Sequence, residues 1–167
     1  ILVVEDSRFA CDAMRLLCLR SGARIRRADC LRSARRHLQV YRPTVVIVDM
    51  GLPDGSGADL IHELSSVEPR ISAILAISGD DMNEAIAMAA GADGFMAKPL
   101  ASLSEFQSAV LTALPEDLRP SGLRKITDEQ VEPDLMAYRD DMAHAAEMLN
   151  SDADMKTLDY VAQFIQG

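Results

Sequence analysis

The chain of 167 residues has no run of 18 uninterrupted apolar residues, which argues against an ordinary membrane-spanning helix. It also lacks a basic-then-apolar leader with a cleavage site, so we expect a cytoplasmic protein. An initiator Met is missing, because the sequence begins Ile1-Leu2-Val3-Val4; a few residues are expected to precede it. Cysteine is sparse. Cys11, Cys18 and Cys30 form no CxxC pair and are read as small apolar residues in a reducing compartment. No His or third Cys stands near Cys11 and Cys18, which argues against zinc. Cations are in deficit, 17 Lys/Arg against 26 Asp/Glu, and bulk nucleic-acid binding needs them clustered. The deficit is uneven: residues 120–167 carry 4 basic against 10 acidic side chains, while ten arginines fall between Arg8 and Arg42. Those arginines read as a solvated basic face, with a docking surface for an acidic partner as the alternative.

What is present is alternation. Apolar strand candidates recur at 1–5, 24–28, 44–49, 72–77 and 94–97. Between and after them lie helical spacings: one closed by Gly22, then about 31–40, 57–66, 81–90 and 102–114. Five strand–helix alternations imply an α/β fold with a parallel sheet covered on both faces. Ligands of such sheets gather at the carboxyl ends of the strands. Polar residues stand at those ends: Glu5 and Asp6 after the first, Asp49 after Val45-Val46-Ile47-Val48, Ser78 after the fourth, Lys98 after the fifth.

Three carboxylates brought together would repel one another unless a cation lay between them. Oxygen ligands with open positions suit Mg²⁺. A dication, Lys98, a Ser78 hydroxyl and backbone amides form a trap for phosphoryl oxygens. One carboxylate is then the nucleophile, and Asp49, on the central strand, is best placed to form an aspartyl-phosphate.

On these residues the chain resembles the receiver domain of two-component response regulators. The matching pieces are "VVEDS" with Glu5-Asp6; Asp49 with Pro53 four later and Gly57 eight later; "AISG" with Ser78; and "GADGFMAKP" with Phe95, Lys98 and Pro99. They cover residues 1–119. The resemblance implies a flavodoxin-like, doubly wound five-stranded parallel sheet of order 2-1-3-4-5. It implies that Asp49 accepts a phosphoryl group from a histidine kinase or a phosphotransfer protein. It implies Mg²⁺ held by Asp6, Asp49 and the Gly51 carbonyl, with Glu5 acting mainly through water. Lys98 would pair with the phosphate, Ser78 would hydrogen-bond it, and Phe95 would follow inward as the switch. Pro53, Gly57 and Pro99 would be structural, with a cis bond before Pro99. Such a protein is not an enzyme beyond Mg²⁺-dependent self-phosphorylation from a donor and autodephosphorylation. Glu5 stands where an Asp is more usual. Gly51, two after Asp49, offers no side chain to orient water, so slow dephosphorylation is expected unless Asp80 compensates.

Rival readings are weaker. A haloacid-dehalogenase-type phosphatase needs an acid two residues after its nucleophile, where this chain has Gly51. A flavodoxin-like FMN site needs a Ser/Thr/Gly loop where this chain has "EDSRFA". An intact acceptor set argues against a receiver kept only for dimerisation. His37, His62 and His144 have no metal spacing. His144 lacks the Lys-Gly typical after a phosphotransfer histidine and reads as a surface residue.

Residues 120–167 read as a helical extension of two helices, about 129–149 and 152–166. Thr127 to Gln130 has capping-box spacing, and Ser151 or Asp152 would cap the second helix. Val131, Leu135, Tyr138, Met142, Ala145 and Leu149 form a heptad stripe, leaving Asp140, Asp141 and Glu147 solvated. Met155, Leu158, Val161, Ala162 and Ile165 would face inward on the second helix. The stripe suggests a homodimer through 129–149, or else packing on the hairpin's own partner helix. No recognition helix rich in Arg or Lys is present, so direct nucleic-acid binding is not expected. A longer regulator with an effector domain after Gly167 is the alternative.

Overall fold

A computed structural model describes residues 1–122, 127–150 and 154–166. Its centre is a five-stranded parallel sheet built from β1 (Leu2–Val4), β2 (Arg26–Ala28), β3 (Val45–Asp49), β6 (Ala73–Ser78) and β7 (Gly94–Ala97), in the order β2-β1-β3-β6-β7. Counting these five strands alone gives the expected 2-1-3-4-5. A two-residue ribbon, β4 (Gly51–Leu52) and β5 (Gly55–Ser56), carries the chain away from Asp49.

Side chains alternate across a strand, and the core divides accordingly. Leu2, Val4, Val46, Val48, Ile74 and Ala76 face α2 (Leu31–Val40), α3 (Gly57–Ser66) and α4 (Asn83–Ala90). Val3, Ile47, Leu75 and Ile77 face α1 (Arg8–Arg20) and α5 (Leu103–Ala113), where Met14, Leu17 and Phe106 are fully enclosed. Each such large apolar side chain contributes about 1.5–3 kcal/mol by leaving water. Helix starts are fixed locally: Ser7, Ser56 and Ser102 accept backbone N–H bonds as N-caps. Asp54, in the turn after β4, accepts from Leu31 and Arg32 N–H at 2.8 and 2.9 Å and so holds the start of α2.

The C-terminal segment departs from its sequence reading. The first helix, α6, spans Leu135–Asn150 and begins well after residue 129. Residues 129–131 instead run beside the start of α5: Leu103 N–H donates to Glu129 O and Val131 N–H to Ala101 O, each at 2.9 Å. Backbone groups spent on that bridge are lost to a helix, and Pro133 disfavours helix in the residue before it. The cap is therefore Asp134, whose carboxylate accepts from Met136 N–H at 2.9 Å; Thr127 and Gln130 form no capping box. The second helix, α7, spans Met155–Gln166, and the cap expected at Ser151 or Asp152 lies outside the described residues.

The buried faces are also rotated from the heptad reading. Val131 packs into the α1/α5 side of the core, while Leu135 is 73% exposed and Leu149 45%. Ala145, a member of the stripe, is buried as expected, and Asp141, expected in solvent, turns inward against the start of α1. On α7, Val161 is buried and Tyr160 and Phe164 are half-buried, while Met155, Leu158, Ala162 and Ile165 are exposed. Hydropathy placed the stripe where apolar residues repeat; packing also turns inward a carboxylate, Asp141, and a phenol, Tyr160, that meet polar groups of the α/β unit. Among the described residues no helix is long and apolar enough to cross a membrane.

Candidate functional site

Parallel pairing brings every strand's carboxyl end to one edge. β1 and β6 flank β3 and β7 pairs with β6, so Glu5, Asp6, Asp49, Ser78 and Lys98 project from a single rim. Oxygens of Glu5, Asp6 and Asp49 lie within 4.8 Å of one another. Lys98 reaches between two of them, with Nζ 2.8 Å from Glu5 Oε2 and 3.3 Å from Asp49 Oδ2. Glu5 is fixed at its other oxygen by Ser7 N–H at 3.0 Å, and the Lys98 N–H donates to Ser78 O at 2.8 Å.

Gly57 has a steric reason to be glycine. Its N–H donates to Met50 O at 3.0 Å, and a Cβ there would lie 2.0 Å from the Asp49 carbonyl oxygen. The turn that presents Asp49 folds back so closely that no side chain fits. The Lys98–Pro99 peptide is cis, as expected. Pro53 lies exposed on the turn leading to Asp54.

Charges in the pocket are unbalanced, three carboxylates to one ammonium. Burial pushes the Asp49 carboxyl well above its usual range, and the neighbouring Glu5 charge adds to this while Lys98 opposes it. Burial also raises Asp6 to about 6; the Tyr160 hydroxyl bond lowers it and Glu5 raises it. For Lys98, burial alone would depress the ammonium, but Glu5 and Asp49 outweigh it and hold it above its ordinary value. Asp6 Oδ1 is buried and has no hydrogen-bond partner. An orphaned carboxylate oxygen beside two more carboxylates is a donor set that fits a hard dication such as Mg²⁺, and the Gly51 carbonyl lies on the adjoining ribbon.

Ser78 Oγ accepts from Asp80 N–H at 3.1 Å and from Asn83 Nδ2 at 2.9 Å, at the start of α4. Asp80 itself is engaged, accepting from Met82 N–H at 2.9 Å. Phe95 is half-buried and packs against the α2/α3/α4 side of the core.

Sequence reasoning missed what the C-terminal helices bring. The Tyr160 hydroxyl donates to Asp6 Oδ2, and its own ionisation is pushed up by burial and by that bond. Gln163 stands over Gly51, its Oε1 2.6 Å from where a Cβ would be. Asp141, expected in solvent, is only 5% exposed. It accepts from Ser7 Oγ at 2.9 Å, Arg8 N–H at 3.1 Å and Phe9 N–H at 2.9 Å, so a carboxylate from α6 sits at the positive end of α1. Arg8 pairs with Asp140 at 2.8 Å, and Phe9 meets Tyr138 edge-on at 5.4 Å. The sequence held one signal for α7: Tyr160 and Phe164, spaced i,i+4 in a chain with only 3 Tyr and 4 Phe. His144 is exposed and meets the Phe164 ring at 6.3 Å.

A family model described as the response regulator receiver domain matches residues 1–110. The KDP operon transcriptional regulatory protein KdpE of Escherichia coli (strain K12) is 28% identical over 114 residues, covering 68% of this chain and 50% of that protein. The virulence transcriptional regulatory protein PhoP of Salmonella typhi is 28% identical over 100 residues, 59% of this chain and 45% of that protein. The chain thus spans about half the length of the curated relatives it matches. Among solved structures, the receiver domain of NtrX from Brucella abortus superposes with a TM-score of 0.62 at 25% identity, covering 68% of this chain and 96% of that one. The receiver domain of sensor histidine kinase PA1611 from Pseudomonas aeruginosa PAO1, with magnesium coordinated in its active site cleft, gives a TM-score of 0.60 at 22% identity, covering 67% and 93%. That identity speaks for the fold alone.

Proposed function

Because the chain belongs to the response regulator receiver family, we propose that it is a phosphorylation-dependent signalling switch whose acceptor is Asp49. The observation that carries this reading is Lys98 Nζ bridging Glu5 and Asp49 beside the orphaned Asp6 oxygen. In the reaction a carboxylate oxygen of Asp49 attacks phosphorus on a donor phosphohistidine. The P–N bond breaks as the P–O bond of the acyl phosphate forms, and the departing imidazole nitrogen takes a proton. Lys98 pairs with the transferred group. Asp6, Asp49 and the Gly51 carbonyl would hold Mg²⁺, with Glu5 acting mainly through water. A dication there supplies positive charge for the phosphoryl oxygens.

After transfer, Ser78 leaves Asn83 to hydrogen-bond the phosphoryl group, and Phe95 moves into the space it vacates. Residues 1–119 form the receiver and 120–167 the helical extension. The phosphodonor is a histidine kinase or a phosphotransfer protein, and the protein works in the cytoplasm. Output runs through protein–protein contact, and a homodimer through 129–149 is one form of it, supported by the exposed Leu135, Met136 and Leu149. A longer regulator, with an effector domain beyond this segment, is the second reading. It is favoured by relatives twice as long that are named as transcriptional regulators. Intact mass after Mg²⁺ and acetyl phosphate tests the switch: one phosphoryl adduct is expected, absent in Asp49→Ala. No adduct would overturn the reading.

A further inference from the structure

The acceptor rim is covered by the chain's own C-terminal hairpin, and both points at which α7 touches it carry proposed cation ligands. Tyr160 donates to Asp6 Oδ2, and Gln163 lies against Gly51. The hairpin is tied down nearby, where Asp141 takes three hydrogen bonds from the first turn of α1. Asp134 N–H, at the cap of α6, adds a bond to Asp12 at 3.0 Å. What remains open is a cleft of about 310 Å³ beside Gly51, bordered by Asn83, Lys156, Asp159, Tyr160 and Gln163, and a second of about 570 Å³ beside Asp6. Both have the dimensions of small molecules rather than of a protein surface.

The cover is acidic. Residues 120–167 carry 10 Asp/Glu against 4 Lys/Arg, and Asp140, Asp141, Glu147 and Asp159 border the cavities next to Asp6 and Gly51, together with Arg8, Arg27 and Lys156. A phosphoryl group brings about −1.5 to −2 charges and three acceptor oxygens. Set on Asp49, it places that charge and added bulk beside Asp6 and the Gly51 ribbon, where Tyr160 and Gln163 of α7 rest. The Tyr160 hydroxyl, by contrast, has its partner in the unphosphorylated pocket.

We propose that the α6–α7 hairpin is a cis-acting cover of the acceptor site, docked through Asp141 on α1 and Tyr160 on Asp6, and that phosphorylation releases α7. The proposal rests on Asp49 being the acceptor. Docking and phosphorylation are then antagonistic, and the antagonism is reciprocal: whatever loosens the hairpin favours the phosphorylated form, and phosphorylation loosens the hairpin. Protein-sized donors gain access only when the hairpin opens.

The test is amide hydrogen exchange on the full chain in Mg²⁺, with and without acetyl phosphate, beside intact mass of each sample. The proteins are wild type, Asp49→Ala, Tyr160→Phe and Asp141→Ala. Exchange across 155–165 is expected to rise at least tenfold with the adduct in wild type and to stay fixed in Asp49→Ala. Tyr160→Phe, which keeps the ring, and Asp141→Ala are expected to raise exchange in that segment without phosphodonor and to reach a severalfold higher ratio of phosphorylated to unphosphorylated chain at equal donor. An adduct with unchanged or slower exchange in α7 would overturn the release, and an unchanged ratio of phosphorylated to unphosphorylated chain in both variants would overturn the cover. Absence of any adduct in wild type would instead overturn the acceptor assignment, and the release with it.

Discussion

Replacing Asp6 by Asn should stabilise the metal-free protein, by an amount that depends on pH in a defined way. Burial raises the Asp6 carboxyl from 3.8 to about 6 in the folded state. A group raised in this way binds its proton more tightly folded than unfolded, so its stabilising effect is complete below about pH 3.8 and fades as pH climbs to 6. Above pH 6 the folded chain holds a carboxylate it would rather protonate. At about 1.4 kcal/mol for each pH unit, the standing cost is about 3 kcal/mol. Asn keeps an acceptor for Tyr160 and removes the charge. In chelator, urea unfolding followed by far-ultraviolet circular dichroism should show Asp6→Asn close to wild type at pH 4 and about 2–3 kcal/mol more stable at pH 8. Millimolar Mg²⁺ should narrow the gap by stabilising wild type alone, through preferential binding to the folded state. A gap of equal size at both pH values, or a variant less stable than wild type at pH 8, would refute the reasoning.

Other perturbations follow from single contacts. Gly57→Ala puts a methyl group 2.0 Å from the Asp49 carbonyl; the turn must move, and unfolding should show a loss of about 1–3 kcal/mol together with slower adduct formation. Asp141→Ala removes a buried charged acceptor from three donors, and exchange of the first-turn amides of α1 should accelerate as about 1.5–3 kcal/mol of local stabilisation is lost. Lys98→Ala leaves Glu5 and Asp49 facing each other without their ammonium; phosphorylation by acetyl phosphate should fall at least tenfold, read by intact mass over time.

The α/β unit was legible because its determinants are local and periodic. Val45 to Val48 followed by Asp49 could only be a buried strand ending at a rim, and the bounds of α2 and α3 coincide with the apolar spacing and its caps. The polar strand ends converge because parallel pairing leaves them nowhere else to go. The hairpin was legible as two helices but not as to which faces turn inward. Asp141 buries because Ser7, Arg8 and Phe9 present donors at the start of α1, and those donors lie more than 130 residues away. Periodicity in hydropathy carries no trace of such a partner. Tyr160 was hidden for the same reason, since the apolar spacing of an amphipathic helix does not announce which residue beside it meets a carboxylate.

The central claim is that Asp49 carries the phosphoryl group, and one measurement addresses it directly. After Mg²⁺ and acetyl phosphate, the acyl phosphate is reduced with borohydride and the digested chain is read by peptide mass spectrometry. Reduction turns a phosphorylated aspartate into homoserine, so the account predicts homoserine at position 49 and nowhere else. Homoserine at Asp6 or at any other carboxylate, or none in a sample that carries the phosphoryl mass, would contradict it.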